Sequence, residues 1–140
     1  MATSEDVVKW DGGACIIMLP LAPCPAARPR VGKFGTYYPK KYAAWITEAH
    51  ELLTPYSITD DADLKTGCCS VAIKFICTKP KNPTRDYPQG DVDNYIKSVL
   101  DAITKARVYW RDDVQVVWLI STKQYAEKGE SPRIEIDITE

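Results

Sequence analysis

The hydrophobic period of this chain changes from two residues to 3.6 across one proline-rich break, a switch that calls for a fold combining sheet and helix. Between Gly67 and Thr78 the residues Val71, Ile73, Phe75 and Cys77 alternate with smaller or polar neighbours, the pattern of a strand with one face buried. Lys79 to Gly90 holds three prolines and a glycine and reads as loop. Beyond Gly90, the apolar residues Ile96, Val99, Leu100 and Ile103 recur at helical spacing to about Ala106, with Asp91 or Asp93 available to cap the start.

The remaining segments are read from the same periods and from β-prone apolar runs. Ala14 to Leu21 is short, apolar and β-prone, and a proline cluster ends it. From Pro39, the spacing of Tyr42, Trp45, Ile46, Ala49, Leu52 and Leu53 predicts a helix that Pro55 stops. Val114 to Tyr125 and Arg133 to Thr139 read as strands, and the polar stretch Glu127 to Pro132 between them suggests a hairpin. The order β-α-β-α-β-β predicts an α+β fold. A mixed sheet of about four strands carries two helices, with right-handed crossovers through them. A length of 140 residues with 45% hydrophobic content fits one domain spanning residues 1–140, and residues 1–13 are expected to be loosely ordered. The longest apolar run, Ala14 to Ala27, is interrupted by Pro20, Pro23 and Pro25 and is too short to cross a membrane.

Cysteine and histidine usage removes several chemistries. The five cysteines, Cys15, Cys24, Cys68, Cys69 and Cys77, include no Cys-x-x-Cys pair, and His50 is the one imidazole, so neither a zinc finger nor a histidine-based hydrolase triad is supported. The N-terminal residues lack the order of a secretory signal, which predicts a cytoplasmic protein with buried thiols. His50, between Glu48 and Glu51 on a helical segment, reads as a surface residue.

Net charge is −1, yet the charges are segregated. Gly12 to Thr47 contains Arg28, Arg30, Lys33, Lys40 and Lys41 and no acid; Leu64 to Arg85 contains five more bases and again no acid. Asp86 to Glu140 holds eleven acids against seven bases. Charge runs are usually solvated surface. Here both cationic stretches include loops rich in proline or glycine, where binding groups are displayed, and they favour a phosphate-bearing partner.

The acids carry the chemistry. In Gly90-Asp-Val-Asp-Asn, two aspartates one residue apart stand at a loop-to-helix junction, where their carboxylates can turn toward a common point. Deeper in a helix they would diverge by about 160°, two steps of about 100° each. Two acids at a helix start also suit the macrodipole, so the pair alone is compatible with a purely structural role. Asp93, Lys97 and Asp101 continue as a polar stripe, with Asp101 equally spaced to pair with Lys105. Asp112 and Asp113, just before the strand at Val114, supply a further carboxylate from a second element. A Mg²⁺ site has that composition, being held by a few carboxylates together with substrate phosphate and water.

Asp91-Val-Asp93-Asn94, Lys97, Leu100-Asp101-Ala102 and Tyr109-Trp-Arg-Asp112-Asp113-Val-Gln115 resemble the RusA family of Holliday junction resolvases. Pro25-Ala-Ala-Arg28-Pro29-Arg30 and Tyr37-Tyr38-Pro39-Lys40-Lys41-Tyr42 are similar to the basic first loop and helix start of many members. The resemblance implies a Mg²⁺-dependent endonuclease, with Mn²⁺ as a possible substitute, that acts as a homodimer and nicks four-way DNA junctions in pairs. It further implies Asp91, Asp93 and Asp113 as metal-binding and catalytic carboxylates, Asp112 as a neighbouring acid and further candidate ligand, and Lys97 as the essential basic residue of the catalytic set. Arg28, Arg30, Lys33, Lys40 and Lys41 would contact DNA. The sequence departs from the family pattern at Arg107, where members often carry glycine in a position suited to a left-handed cap, and at Val114.

Two other readings compete. In one, the basic loops grip phosphate and the acids only cap and pair, giving a nucleic-acid-binding protein without catalysis. In the other, the Asp-x-Asp pair serves a Mn²⁺-dependent glycosyltransferase, for which 140 residues leave little room.

Overall fold

The computed structural model describes residues 6–140. Val8–Asp11 (β1) and Ala14–Leu19 (β2) form an antiparallel hairpin whose turn is Gly12-Gly13, at φ +56° and +90°. Positive φ at both central residues is the tight hairpin turn that glycine enters at little steric cost. Part of the segment expected to be loosely ordered is therefore an edge strand, with Val8 buried. Residues 1–5 lie outside the described residues. Arg30–Gly32 (β3) and Gly35–Tyr37 (β4) make a separate two-stranded ribbon within the basic loop, also beyond the four strands foreseen.

Lys40–Leu53 (α1) follows with Pro39 at its cap position, and Cys69–Cys77 (β5) and Val92–Ala106 (α2) fall where the two periods place them. Val116–Tyr125 (β6) and Arg133–Thr139 (β7) complete a five-stranded mixed sheet of order β1-β2-β7-β5-β6.

The hairpin expected between the last two strands does not form. β7 lies between β2 and β5, antiparallel to both, while β6 runs parallel to β5 on its far side. The physical reason lies in the side chains. Ile134, Ile136 and Ile138 of β7 are buried, each contributing roughly 1.5–3 kcal/mol by leaving water, so β7 belongs at the centre of the sheet. β6 is half-buried or exposed along its whole length and suits an edge. Crossing β5 takes two strand spacings, about 10 Å. The segment 126–132 has ample reach, and Ala126 N–H donates to the Cys77 carbonyl as it passes.

The buried side chains of both helices join those of the sheet in one core. Tyr42, Trp45, Ala49 and Leu53 of α1 and Tyr95, Val99 and Ile103 of α2 pack with Ile17, Val71, Phe75 and Ile136. Tyr109 and Trp110 are wholly buried, and the Trp110 indole N–H donates to Thr104 Oγ1 at 2.6 Å. Those two residues of the quoted motif therefore serve packing. All five cysteines are free; four are buried as expected, but Cys68 is exposed at the approach to β5. His50 is half-buried, and its Nδ1 has no hydrogen-bond partner. Among the described residues no helix is long and apolar enough to cross a membrane.

Candidate active site

α2 begins where loop geometry and helix chemistry meet. Asp91 occupies the cap position in extended backbone (φ −75°, ψ 136°), and its main-chain carbonyl accepts from Asn94 and Tyr95 N–H. Its side chain accepts no helix N–H, so the carboxylate is not consumed in capping. Asp93, in the first turn, is exposed, and its Oδ1 accepts only from the neighbouring Asn94 N–H at 3.0 Å.

Three consecutive carbonyls ahead of Asp91 are each held by a side chain. Lys123 of β6 donates through Nζ to the Pro88 and Gly90 carbonyls at 2.9 and 2.6 Å. The buried Tyr95 hydroxyl donates to the Gln89 carbonyl at 2.7 Å. Gly90 takes φ +108°, and a Cβ there would lie 3.1 Å from the Tyr95 ring, so both conformation and space call for glycine directly before the first aspartate. This clamp fixes the entry of Asp91 onto the helix.

Further along α2 the polar stripe meets the second acidic element. Lys97 Nζ lies 3.4 Å from Asp101 Oδ2, so Asp101 pairs toward the start of the helix rather than with Lys105. Asp113 is half-buried, and its carboxyl is held above the usual range by burial, then by the Asp101 and Asp112 carboxylates, with Lys97 opposing. Asp101, Asp112, Asp113 and Lys97 thus form one electrostatic cluster. Asp112 also opens the 3₁₀ turn Asp113–Gln115: its Oδ1 accepts from Val114 N–H, while Gln115 Oε1 accepts from Arg111 and Asp112 N–H. Gln115 Nε2 donates to the Lys65 and Gly67 carbonyls, tying this acidic turn to the strand entry beside it.

The profile of the family described as Endodeoxyribonuclease RusA matches residues 20–139. The chain belongs to that family. A protein named crossover junction endodeoxyribonuclease rusA, from Lactococcus phage r1t, is 50% identical over 50 residues, which is 36% of this chain and 35% of the phage protein. The uncharacterized protein YqaN of Bacillus subtilis (strain 168) is 32% identical over 117 residues, 74% of this chain and 72% of that one. The alignment with the phage protein spans about a third of its length.

In this RusA-family chain the donor set is all carboxylate oxygen, the kind a hard divalent cation takes. An uncommitted Asp91 carboxylate and a crowded Asp113 both suit such an ion. Among the described residues no three such side chains converge on one point. Asp93 and Asp101, eight residues apart on α2, are separated by about 12 Å along its axis. The basic residues Arg28, Arg30, Lys33, Lys40 and Lys41 are all exposed. Lys40 and Lys41 open α1, and the loop that carries the other three is fastened to the start of α2, where Ala26 N–H donates to the Asn94 carbonyl at 2.9 Å. Lys41 and Arg85, from the two cationic stretches, border one groove of about 540 Å³ together with Trp45 and Tyr95.

Sequence reasoning passed over Lys123, Tyr95 and Gln115. A glutamine three residues after Asp112 is a capping-box signal, and the glycine before Asp91 marks a special backbone position. Nothing in the sequence distinguishes Lys123 from any lysine on an edge strand.

Proposed function

We propose that this RusA-family chain is a structure-selective endodeoxyribonuclease that resolves four-way DNA junctions by paired nicks, with Mg²⁺, or Mn²⁺ in its place, as cofactor. The observation that carries the reading is the Ala26–Asn94 hydrogen bond, which joins the acid-free basic loop to the helix turn bearing Asp91 and Asp93. Cations that hold phosphate and carboxylates that suit a metal ion thereby belong to one connected surface.

Asp91, Asp93 and Asp113 would have to draw together to hold the ion, with Asp112 next to Asp113. A divalent ion bound there lowers the pKa of attacking water and offsets charge on the phosphate. Lys97, paired with Asp101 and close enough to act on Asp113, would present its ammonium to the charge that develops as the phosphodiester breaks. Arg28, Arg30, Lys33, Lys40 and Lys41 hold the backbone of the junction arms, orienting DNA without reading its bases.

A junction has a near two-fold axis, and two matched nicks ask for two copies of one site. The exposed edge β6 supports a homodimer. Val117, Trp118, Leu119 and Ile120 are 67%, 56%, 37% and 53% exposed on a strand with one unpaired side, an apolar edge that a second copy would cover. Residues 1–140 act as one catalytic domain in this reading.

Incubation with an end-labelled four-way junction, with Mg²⁺, with Mn²⁺ and with chelator, tests the function. Symmetric metal-dependent nicks are expected. Tight binding without nicking under every condition would identify a DNA-binding protein instead.

A further inference from the structure

Phe34 at the tip of the β3–β4 ribbon is 97% exposed, and Val31 beside it is 86% exposed. A single exposed apolar side chain is ordinary. Three features set this one apart. First, the ribbon is ordered. Arg30, Val31 and Gly32 pair with Tyr37, Thr36 and Gly35, and the tip closes through Gly35 at φ +118°. The Tyr37 ring lies so close over Gly32 that a Cβ there would stand 2.8 Å from it. Tyr38 at the foot packs edge-on to the buried Tyr42 of α1, with ring centroids 5.1 Å apart. Second, the ribbon is cationic: Lys33 Nζ stands 5.9 Å from the Phe34 ring, and no acid occurs from Gly12 to Thr47. Third, the loop that carries it is hydrogen-bonded to the helix start bearing the carboxylates.

An exposed ring on a braced ribbon among phosphate-seeking cations suits a partner that offers both negative charge and an apolar face to stack on. Branched DNA offers both in its open form, where base pairs at the crossover have lost a stacking neighbour on one side. We propose that Phe34 is a wedge that inserts against the base stack at the branch point, so that the ribbon selects branched over continuous duplex DNA. The wedge costs some unstacking, least where stacking is already broken, and this gives the selectivity. The proposal rests on the junction-nuclease reading above.

The test uses 2-aminopurine, whose fluorescence rises on unstacking, placed at the crossover of a four-way junction and, as control, in the matching linear duplex, without metal. The full chain should raise the junction signal severalfold and leave the duplex signal unchanged. Phe34→Ala should abolish the rise and weaken junction binding by about tenfold, the scale of one base–aromatic stack, with duplex binding and the salt dependence of binding unaltered. Phe34→Trp should restore both. If wild type neither binds nor cuts the junction, the functional reading itself fails. If wild type binds and cuts while Phe34→Ala gives the same fluorescence rise and junction preference, the wedge alone is overturned. Phe34-dependent capture by phosphatidylglycerol vesicles, with no change in junction fluorescence, would assign the tip to a lipid surface and likewise overturn it.

Discussion

The start of α2 and the β3–β4 ribbon are built by opposite means. Ahead of Asp91, three successive carbonyls are each tied by a buried or half-buried side chain, and Gly90 sits so close to the Tyr95 ring that a methyl group would crowd it. The ribbon hangs from one loop, with Val31 and Phe34 exposed and Tyr37 laid over a glycine as its brace. Groups that act on a reacting phosphate must be fixed to a fraction of an ångström. Groups that grip a polyanion need charge and reach. The contrast predicts that substitutions near α2 act on the rate of cutting, whereas those in the basic loop act on affinity.

Asp91→Asn keeps the size of the side chain and removes its charge, and should break the first half of this contrast most severely. Single-turnover nicking should fall by about a thousandfold, roughly 4 kcal/mol, while gel-shift affinity without metal holds or tightens as a repulsive carboxylate is lost. Lys97→Ala should lower nicking by about a hundredfold with little change in melting temperature, since its ammonium is exposed and its pairing with Asp101 is a surface contact. A near wild-type rate would reduce Lys97 to a helix-pairing residue.

Lys123→Met sharpens the comparison, because Lys123 touches no substrate in this account and acts by holding Asp91 in place. Unfolding stability should fall by about 1–3 kcal/mol as two carbonyls lose their donor. kcat should drop about tenfold, the effect of a misplaced catalytic group, at unchanged KM. Equal losses in kcat and KM would argue against a positioning role. Arg28→Ala with Arg30→Ala should leave cutting at saturating enzyme nearly intact and flatten the salt dependence of binding by about 1.8, two phosphate contacts of about 0.9 each. Smallest of all, a thiol reagent applied to the native protein should label Cys68 and spare the four buried cysteines, with mass spectrometry locating the adduct. The thiol of Cys15, pushed up to about 12 by burial, resists on both counts.

The two periods of hydrophobicity located both helices and the strands β5 and β7, because a half-buried element must repeat its apolar face, while β-prone apolar runs located β2 and β6. They could not order the strands. β6 and β7 are adjacent in sequence and separated by β5 in space, a choice made by how completely each strand can be buried. The β1–β2 hairpin was missed, residues 1–13 being expected to be loosely ordered, although Gly12-Gly13 after Val8 and Trp10 is hairpin turn chemistry. The left-handed cap at Arg107 was legible too: the residue takes φ +57°, ψ +48° despite its side chain, and its guanidinium pairs with Asp61. The acids of the candidate site stood out as a motif. Their supports did not, since Lys123 lies 32 residues beyond Asp91 and meets its loop only because β6 runs beside β5.

The proposed activity requires acids from two elements, the start of α2 and the turn before β6, to serve one divalent cation. Titration of the full chain with Mn²⁺, followed by the paramagnetic resonance signal of the free ion, tests this without DNA or catalysis. Wild type should remove the ion at a stoichiometric site, and Asp91→Asn and Asp113→Asn should each weaken that binding by more than about tenfold, roughly 1.4 kcal/mol. Mn²⁺ held as tightly by Asp113→Asn as by wild type would contradict the claim, leaving α2 alone with the metal.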